Sequence, residues 1–264
     1  MFFKTKITIF YLLYFYLSIG LSLGQIKITE QVGQIINANS ETERIQILDS
    51  VRANLEKIDN KDAIQEWDNL IELCKKMDFK TELGFCYYFR GIKYKNSGEY
   101  FLSYISYEES KKIFEDQNYI PGLAKVYNGL GILYKELNNF EQSLEHYHEG
   151  AKLFTILKDT VRVGWIYLNM GVMWEKQDSL TLAKIHLWKS KALLKKLADP
   201  SIISCYINLG DVYKRSEIPD SAHYYYTESY TLSKKQATWK INSRRRFIWQ
   251  NFYLHKIKFQ KQNL

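Results

Sequence analysis

Few side chains in this sequence stand in a pattern that performs chemistry. His146 and His148 form an H-x-H, but residues two apart on a helix point in nearly opposite directions and cannot share a metal as an i,i+4 pair can. These histidines, and His186 forty residues on, read as solvated. No phosphate-binding glycine loop, nucleophile-elbow serine or zinc-protease helix motif occurs. The carboxylates are scattered as on exposed helix faces. The expectation is a protein that is not an enzyme, with no catalytic residue, no cofactor and no metal.

Two charged or reactive groupings remain. Cys74, Cys86 and Cys205 are an odd number, so one internal pair at most can form, and a Cys74–Cys86 bridge between neighbouring helices stays open. From Lys234 to Leu264 there are nine lysines and arginines and no acid, interleaved with Trp239, Phe247, Trp249, Phe252 and Tyr253. Removing those nine charges and the two of Lys4 and Lys6 from the net +8 leaves the intervening chain at about −3. The basicity is therefore local. It suits an anionic membrane surface, an acidic partner, or a solvated capping helix over 237–264.

The N-terminus argues against nucleic acid as the partner. Lys4 and Lys6 precede an apolar run from Ile7 to about Gly20, and Ser22-Leu23-Gly24 places small residues where a signal peptidase reads. Residues 1–24 read as a secretory signal, with an uncleaved membrane anchor as the alternative. No cysteine follows the run for lipid attachment. The expected location is exported, periplasmic or extracellular.

The elements that must position any site follow from composition and repetition. Apolar residues make up 46% of the chain, enough for a sizeable core, and three prolines with thirteen glycines suit long helices joined by short loops. Tyr87-x3-Gly91-x2-Tyr94 recurs as Tyr127-x3-Gly131-x2-Tyr134, Tyr167-x3-Gly171-x2-Trp174 and Tyr206-x3-Gly210-x2-Tyr213. Twelve residues after each glycine stands a small residue, Ser103, Ser143, Ala183 or Ala222, and four further on a large one, Tyr107, Tyr147, Leu187 or Tyr226. Each copy thus predicts two antiparallel helices, with the aromatic, the glycine and the second aromatic on one face of the first. A glycine inside a helix costs about 1 kcal/mol against alanine, so its recurrence requires close approach to the small residue of the second helix. Cys86 and Cys205 share a repeat position with Val126 and Ile166 and read as small buried apolar residues. Pro121, Pro200 and Pro219 fall at predicted helix boundaries or turns.

This pattern resembles the tetratricopeptide repeat. Asn128-Gly129-Leu130-Gly131-Ile132-Leu133-Tyr134 and Tyr206-Ile207-Asn208-Leu209-Gly210-Asp211-Val212-Tyr213 match its signature closely. The period near 40 is longer than the usual 34 and is similar to that of exported arrays in Bacteroidota signalling proteins. The resemblance implies an all-α, right-handed solenoid of helix hairpins. It divides the chain into a lead-in helix over 25–43, a degenerate unit over 44–83 with Val51 in the glycine's place, and repeats over 84–123, 124–163, 164–202 and 203–236.

In the resembled family the first helices line a concave groove, at positions three before, one after and four after the glycine. Those positions hold Tyr88, Ile92 and Lys95; Asn128, Ile132 and Lys135; Leu168, Val172 and Glu175; Ile207, Asp211 and Lys214. They describe an apolar strip with lysines along one rim, suited to a protein or peptide ligand with apolar anchors and acidic flanks. Ile92, Ile132 and Val172 are equally readable as packing between units. The carboxylate clamp of chaperone-binding relatives does not assemble, because Asn169 and Asn208 lack matching basic partners. The expected function is an exported interaction scaffold. The alternative is a stand-alone or truncated sensory region of a bacterial regulator of the histidine kinase or helix-turn-helix type.

Overall fold

The structure, a computed structural model, describes residues 23–236. The expected signal or anchor, apart from its last two residues, and the basic segment over 237–264 lie outside them. Among the described residues every regular element is a helix, and no helix is long and apolar enough to cross a membrane. The chain divides into two compact units between Lys158 and Asp159.

The first unit holds α1 (Leu23–Asn37), α2 (Glu41–Leu55), α3 (Asn60–Met77), α4 (Lys80–Asn96), α5 (Tyr100–Asp116), α6 (Ile120–Glu136) and α7 (Phe140–Ile156). The second holds α8 (Thr160–Lys176), α9 (Leu180–Lys196), α10 (Ile202–Arg215) and α11 over residues 219–236. Within each unit successive helices pack on one another as hairpins, α2 and α3 excepted, and first helices also touch the first helix of the next hairpin, α2 with α4, α4 with α6, and α8 with α10. This is the all-α solenoid class expected. The prolines sit as read, with Pro121 in the first turn of α6, Pro200 just before α10 and Pro219 at the first residue of α11, where a missing N–H costs nothing.

The recurring glycines make notches for large side chains. A Cβ on Gly91 would stand 2.9 Å from the Tyr107 ring, and one on Gly129, in the next first helix, 3.1 Å from the same ring. Phe114 is held alike, 2.6 Å from a Cβ on Gly84 and 2.5 Å from one on Gly122. Each ring from α5 is thus lodged between the backbones of α4 and α6. Gly131 faces Tyr147, Gly171 faces Leu187 and Gly210 faces Tyr226 in the same register, and Gly164 faces Leu194. The small residue twelve positions after the glycine does not fill the notch. It lies buried beside it, and where it is serine it donates a hydrogen bond to the glycine carbonyl, Ser103 Oγ to Gly91 O and Ser143 Oγ to Gly131 O at 2.8 Å each.

Where the glycine is missing, the geometry changes. Val51 and the buried Trp67 occupy the places of glycine and Tyr107 in α2 and α3, and these two helices lack the close backbone approach of the other pairs. The exposed end of α2 is met differently. The buried Lys93 amine of α4 donates to the Leu55 carbonyl at 2.8 Å, one of the acceptors a helix C-terminus leaves open.

Connections repeat at half the sequence period. Asp78, Gly98, Asn118, Asn138, Lys158, Asp178, Ala198 and Glu217 all carry positive φ, so a left-handed residue follows each helix from α3 to α10, about every twenty positions. The next residue's N–H reaches back to close the turn, as Tyr119 N does to Phe114 O at 2.8 Å and Asp199 N to Leu194 O at 3.0 Å. Only one of these positions is glycine; asparagine and aspartate tolerate the conformation, whereas alanine and glutamate carry a steric cost.

Two outcomes follow. Gly122→Ala will lower stability by about 1–3 kcal/mol in urea unfolding, although alanine favours the helix by about 1 kcal/mol, and adding Phe114→Leu to it will recover part of the loss. An unchanged midpoint in the single variant would remove the ring-in-notch account. Ala198→Gly will raise stability by about 0.5 kcal/mol while Ala192→Gly, inside α9, lowers it by about 1 kcal/mol; equal losses in both would contradict the left-handed assignment.

Candidate functional site

The sequence-predicted strip residues lie on two separately described surfaces. In the first unit, adjacent α4 and α6 place Tyr88, Ile92, Lys95, Asn128, Ile132 and Lys135, all half-buried. Tyr88 and Ile92 also pack against the unit's core, so part of this strip is structural, as the packing reading allowed. Asn128 Oδ1 is held back from solvent and has no hydrogen-bond partner among the described residues. Lys95 donates to Asn96 Oδ1 at 2.9 Å, and Lys135 lies 3.4 Å from Glu136 Oε1. Burial draws the Lys95 ammonium below its ordinary value; Glu136 opposes this and Lys135 adds to it. Two lysines are therefore held in each other's field with one carboxylate between them.

In the second unit, α8 and α10 carry Leu168, Val172, Glu175, Ile207, Asp211 and Lys214. Leu168 packs on the core, whereas Ile207 and Lys214 are exposed. The rim here is mixed in charge, with Glu175 and Asp211 beside Lys214 and Arg215. Burial raises the Glu175 carboxyl, Asp211 adds to the rise, and Arg215 opposes it. Arg215 donates to the Glu175 carbonyl and to Asp178 Oδ1, both at 2.7 Å. Tyr226 donates to Asp211 Oδ1 at 2.7 Å, and desolvation with that carboxylate pushes its hydroxyl to about 12. Sequence reasoning missed Arg215 and Tyr226 as parts of this surface. The available signal was the sign change at Glu175, where the other copies carry Lys95, Lys135 and Lys214, with Arg215 forty residues after it.

The reading of the histidines needs correction at two positions, for His186 is half-buried and tilted to Tyr167 with ring centroids 5.9 Å apart, and His146 is packed in the same way. His148 is exposed, as expected, but His146 is half-buried against aromatic rings, stacked on Tyr134 with centroids 5.2 Å apart and tilted to Tyr127 at 5.9 Å. An aromatic cleft between the hairpin helices accepts the imidazole as a flat ring. No group of three or more His, Cys, Asp or Glu able to hold a metal occurs among the described residues.

All three cysteines are buried thiols, with Cys86 and Cys205 in the same core position as the buried Val126 and Ile166. Cys74 and Cys86 lie 4.0 Å apart, sulfur to sulfur. Burial pushes the Cys86 thiol well up and the Cys205 thiol to about 11, so neither is a ready nucleophile.

Solved structures share this architecture. BtubC (BKLC) from P. vanneervenii superposes with a TM-score of 0.69 at 17% identity, over 82% of this chain and 93% of that one. A putative kinesin light chain from Podosopora anserina with nearly identical TPR-like repeats does so at 0.58 and 10% identity, over 75% and 99%. The repeats are of the tetratricopeptide type. A Rap protein complexed with competence and sporulation factor superposes at 0.54 with 17% identity, over 74% of this chain and 54% of that one. No protein-family model and no curated protein matches the sequence. At these identities the tetratricopeptide likeness describes fold.

The buried imidazole gives a pH test. Burial lowers the His146 pKa below its ordinary 6.5, with Glu145 and Glu108 opposing and Lys111 assisting. The folded chain therefore binds fewer protons than the unfolded one, and the stability from neutral His146 is present above about 6.5 and lost as pH falls below it. Between pH 7.5 and 5.5 the wild type will lose more stability in urea unfolding than His146→Gln; parallel losses would show that the imidazole is solvated after all.

Proposed function

We propose that this protein is an exported, non-catalytic scaffold that binds a protein or peptide along the first helices of its tetratricopeptide hairpins. The supporting observation is the α4–α6 strip. Its half-buried apolar side chains, Tyr88, Ile92 and Ile132, stand beside the unmet acceptor of Asn128 and the mutually opposed Lys95 and Lys135. A segment with apolar anchors would cover the first group, a backbone N–H would meet Asn128, and an acidic flank would relieve the lysine pair. The Rap structure whose ligand is competence and sporulation factor supports a bound partner for this kind of fold. Export rests on the N-terminal lysines, the apolar run and Ser22-Leu23-Gly24.

Selection from a displayed random-peptide library against residues 25–264 tests the reading. Peptides combining apolar anchors with Asp or Glu will be enriched, and Ile132→Asp will weaken their binding at least tenfold in fluorescence polarisation with helicity unchanged, as will Lys95→Glu. No enrichment of such peptides, or undiminished binding by the folded Ile132→Asp variant, defeats it.

A further inference from the structure

The outward face of α9 carries no acid, unlike the equivalent faces of α5, α7 and α11, which hold Glu108 and Glu109, Glu145 and Glu149, and Glu228. Its buried side presents Ala183, Leu187, Ser190 and Leu194 to the core of the second unit. The opposite side exposes Leu182 at 39%, Ile185 at 46% and Trp188 at 53% of their surfaces, and Ala192 continues the line. Lys184 and Lys195 flank this stripe on one side and Lys189 and Lys196 on the other, and α9 contains no acidic residue. Where α9 has Lys189, the other second helices have Glu109, Glu149 and Glu228; where it has Trp188, they have Glu108, His148 and Thr227. The indole and the all-basic flanks are departures of this one hairpin, whereas the apolar positions recur in part, Leu182 and Ile185 matching the exposed Leu102 and Ile105 of α5.

Among the described residues, Trp188, Lys191, Ala192, Lys195 and Lys196 line an open hollow of about 440 Å³. Lys191 is already engaged, donating to Tyr225 Oη at 3.2 Å, while Lys195 and Lys196 are exposed. An indole beside two exposed ammonium groups, at the edge of an apolar stripe, matches a phosphodiester headgroup above acyl chains. The basic segment from Lys234 onward, with nine cations, is no charge complement to a helix that carries five. An acidic protein would need groups fixed in register, and this face offers only long flexible amines on aliphatic stems. A bilayer needs no register.

We infer that the outward face of α9 docks the protein on an anionic membrane surface, with Ile185 and Trp188 seated at the interface and Lys189, Lys195 and Lys196 on lipid phosphates. This surface is distinct from the first-helix strips and does not depend on them.

Co-sedimentation of the chain over residues 25–264 with phosphatidylcholine vesicles, with and without about a third phosphatidylglycerol, tests it. Binding is expected to the anionic vesicles alone and to fall steeply between low and 0.5 M salt. Ile185→Ser/Trp188→Ser and, separately, Lys189→Glu/Lys195→Glu are each expected to reduce partitioning at least tenfold with unfolding midpoints unchanged. Loss only on Arg244→Glu/Arg245→Glu/Arg246→Glu, with both α9 variants binding as the wild type does, overturns the proposal in favour of the C-terminal segment. Failure of the wild type to bind anionic vesicles overturns it too, as does release by millimolar inorganic phosphate at constant ionic strength. Binding to soluble polyglutamate but not to vesicles, abolished in the α9 variants, would assign the face to an acidic protein instead.

Discussion

The fold rests on the lodging of a bulky side chain from one helix between the bare backbones of two others. Tyr107 and Phe114 leave α5 and enter spaces that exist only because Gly91 and Gly129, or Gly84 and Gly122, lack a Cβ. Each ring joins its own hairpin to the next in a single contact, so intra-hairpin and inter-hairpin packing are one event and not two. Dispersion contacts on both ring faces repay the helix propensity that glycine gives up. The serine hydroxyls bonded to Gly91 and Gly131 carbonyls then fix the slide of one helix along the other.

Much of this was legible as spacing. Glycine, small residue and large residue at fixed offsets forced a helical hairpin, because only that geometry places residues twelve and sixteen apart next to a glycine. What periodicity could not convey was which neighbour fills the notch, since small and large candidates both fall within reach. Gly84 and Gly164 were also passed over, because their shared position is Ala124 and Ile203 in the other copies, and so was Gly122, whose position holds Glu82, Arg162 and Ser201 elsewhere. The left-handed connections escaped for a related reason. Lys158, Ala198 and Glu217 carry no glycine signal, and the conformation there is imposed by the packed helices on either side.

The candidate surfaces were less readable than the fold. Positions could be transferred from one copy to the next, which located Ile132 and Lys135 from Ile92 and Lys95. The electrostatic character could not, because it depends on partners from neighbouring helices. Arg215 reaches from the end of α10 to Glu175 and Asp178 across the hairpin, and Tyr226 reaches from α11 to Asp211. These contacts give the second unit's strip a rim of mixed charge closed by hydrogen bonds, unlike the lysine pair of the first. The His146 ring shows the same limit: a residue that reads as surface polar in sequence is planar enough to join an aromatic stack in three dimensions.

The regular interval between positive-φ residues constrains how such a chain can change length. A single amino acid added inside a 17-residue helix turns everything beyond it by about 100°, carrying glycine notches away from their rings. One added at a connection displaces the left-handed residue from the closing N–H. Complete helix pairs preserve both registers. The one residue lacking between Ala198 and Glu217, against the twenty that separate the other left-handed positions, is taken up at the start of α10, which has 14 residues where α8 has 17. Gene duplication therefore sets the number of repeats, and single-residue changes survive where a helix begins.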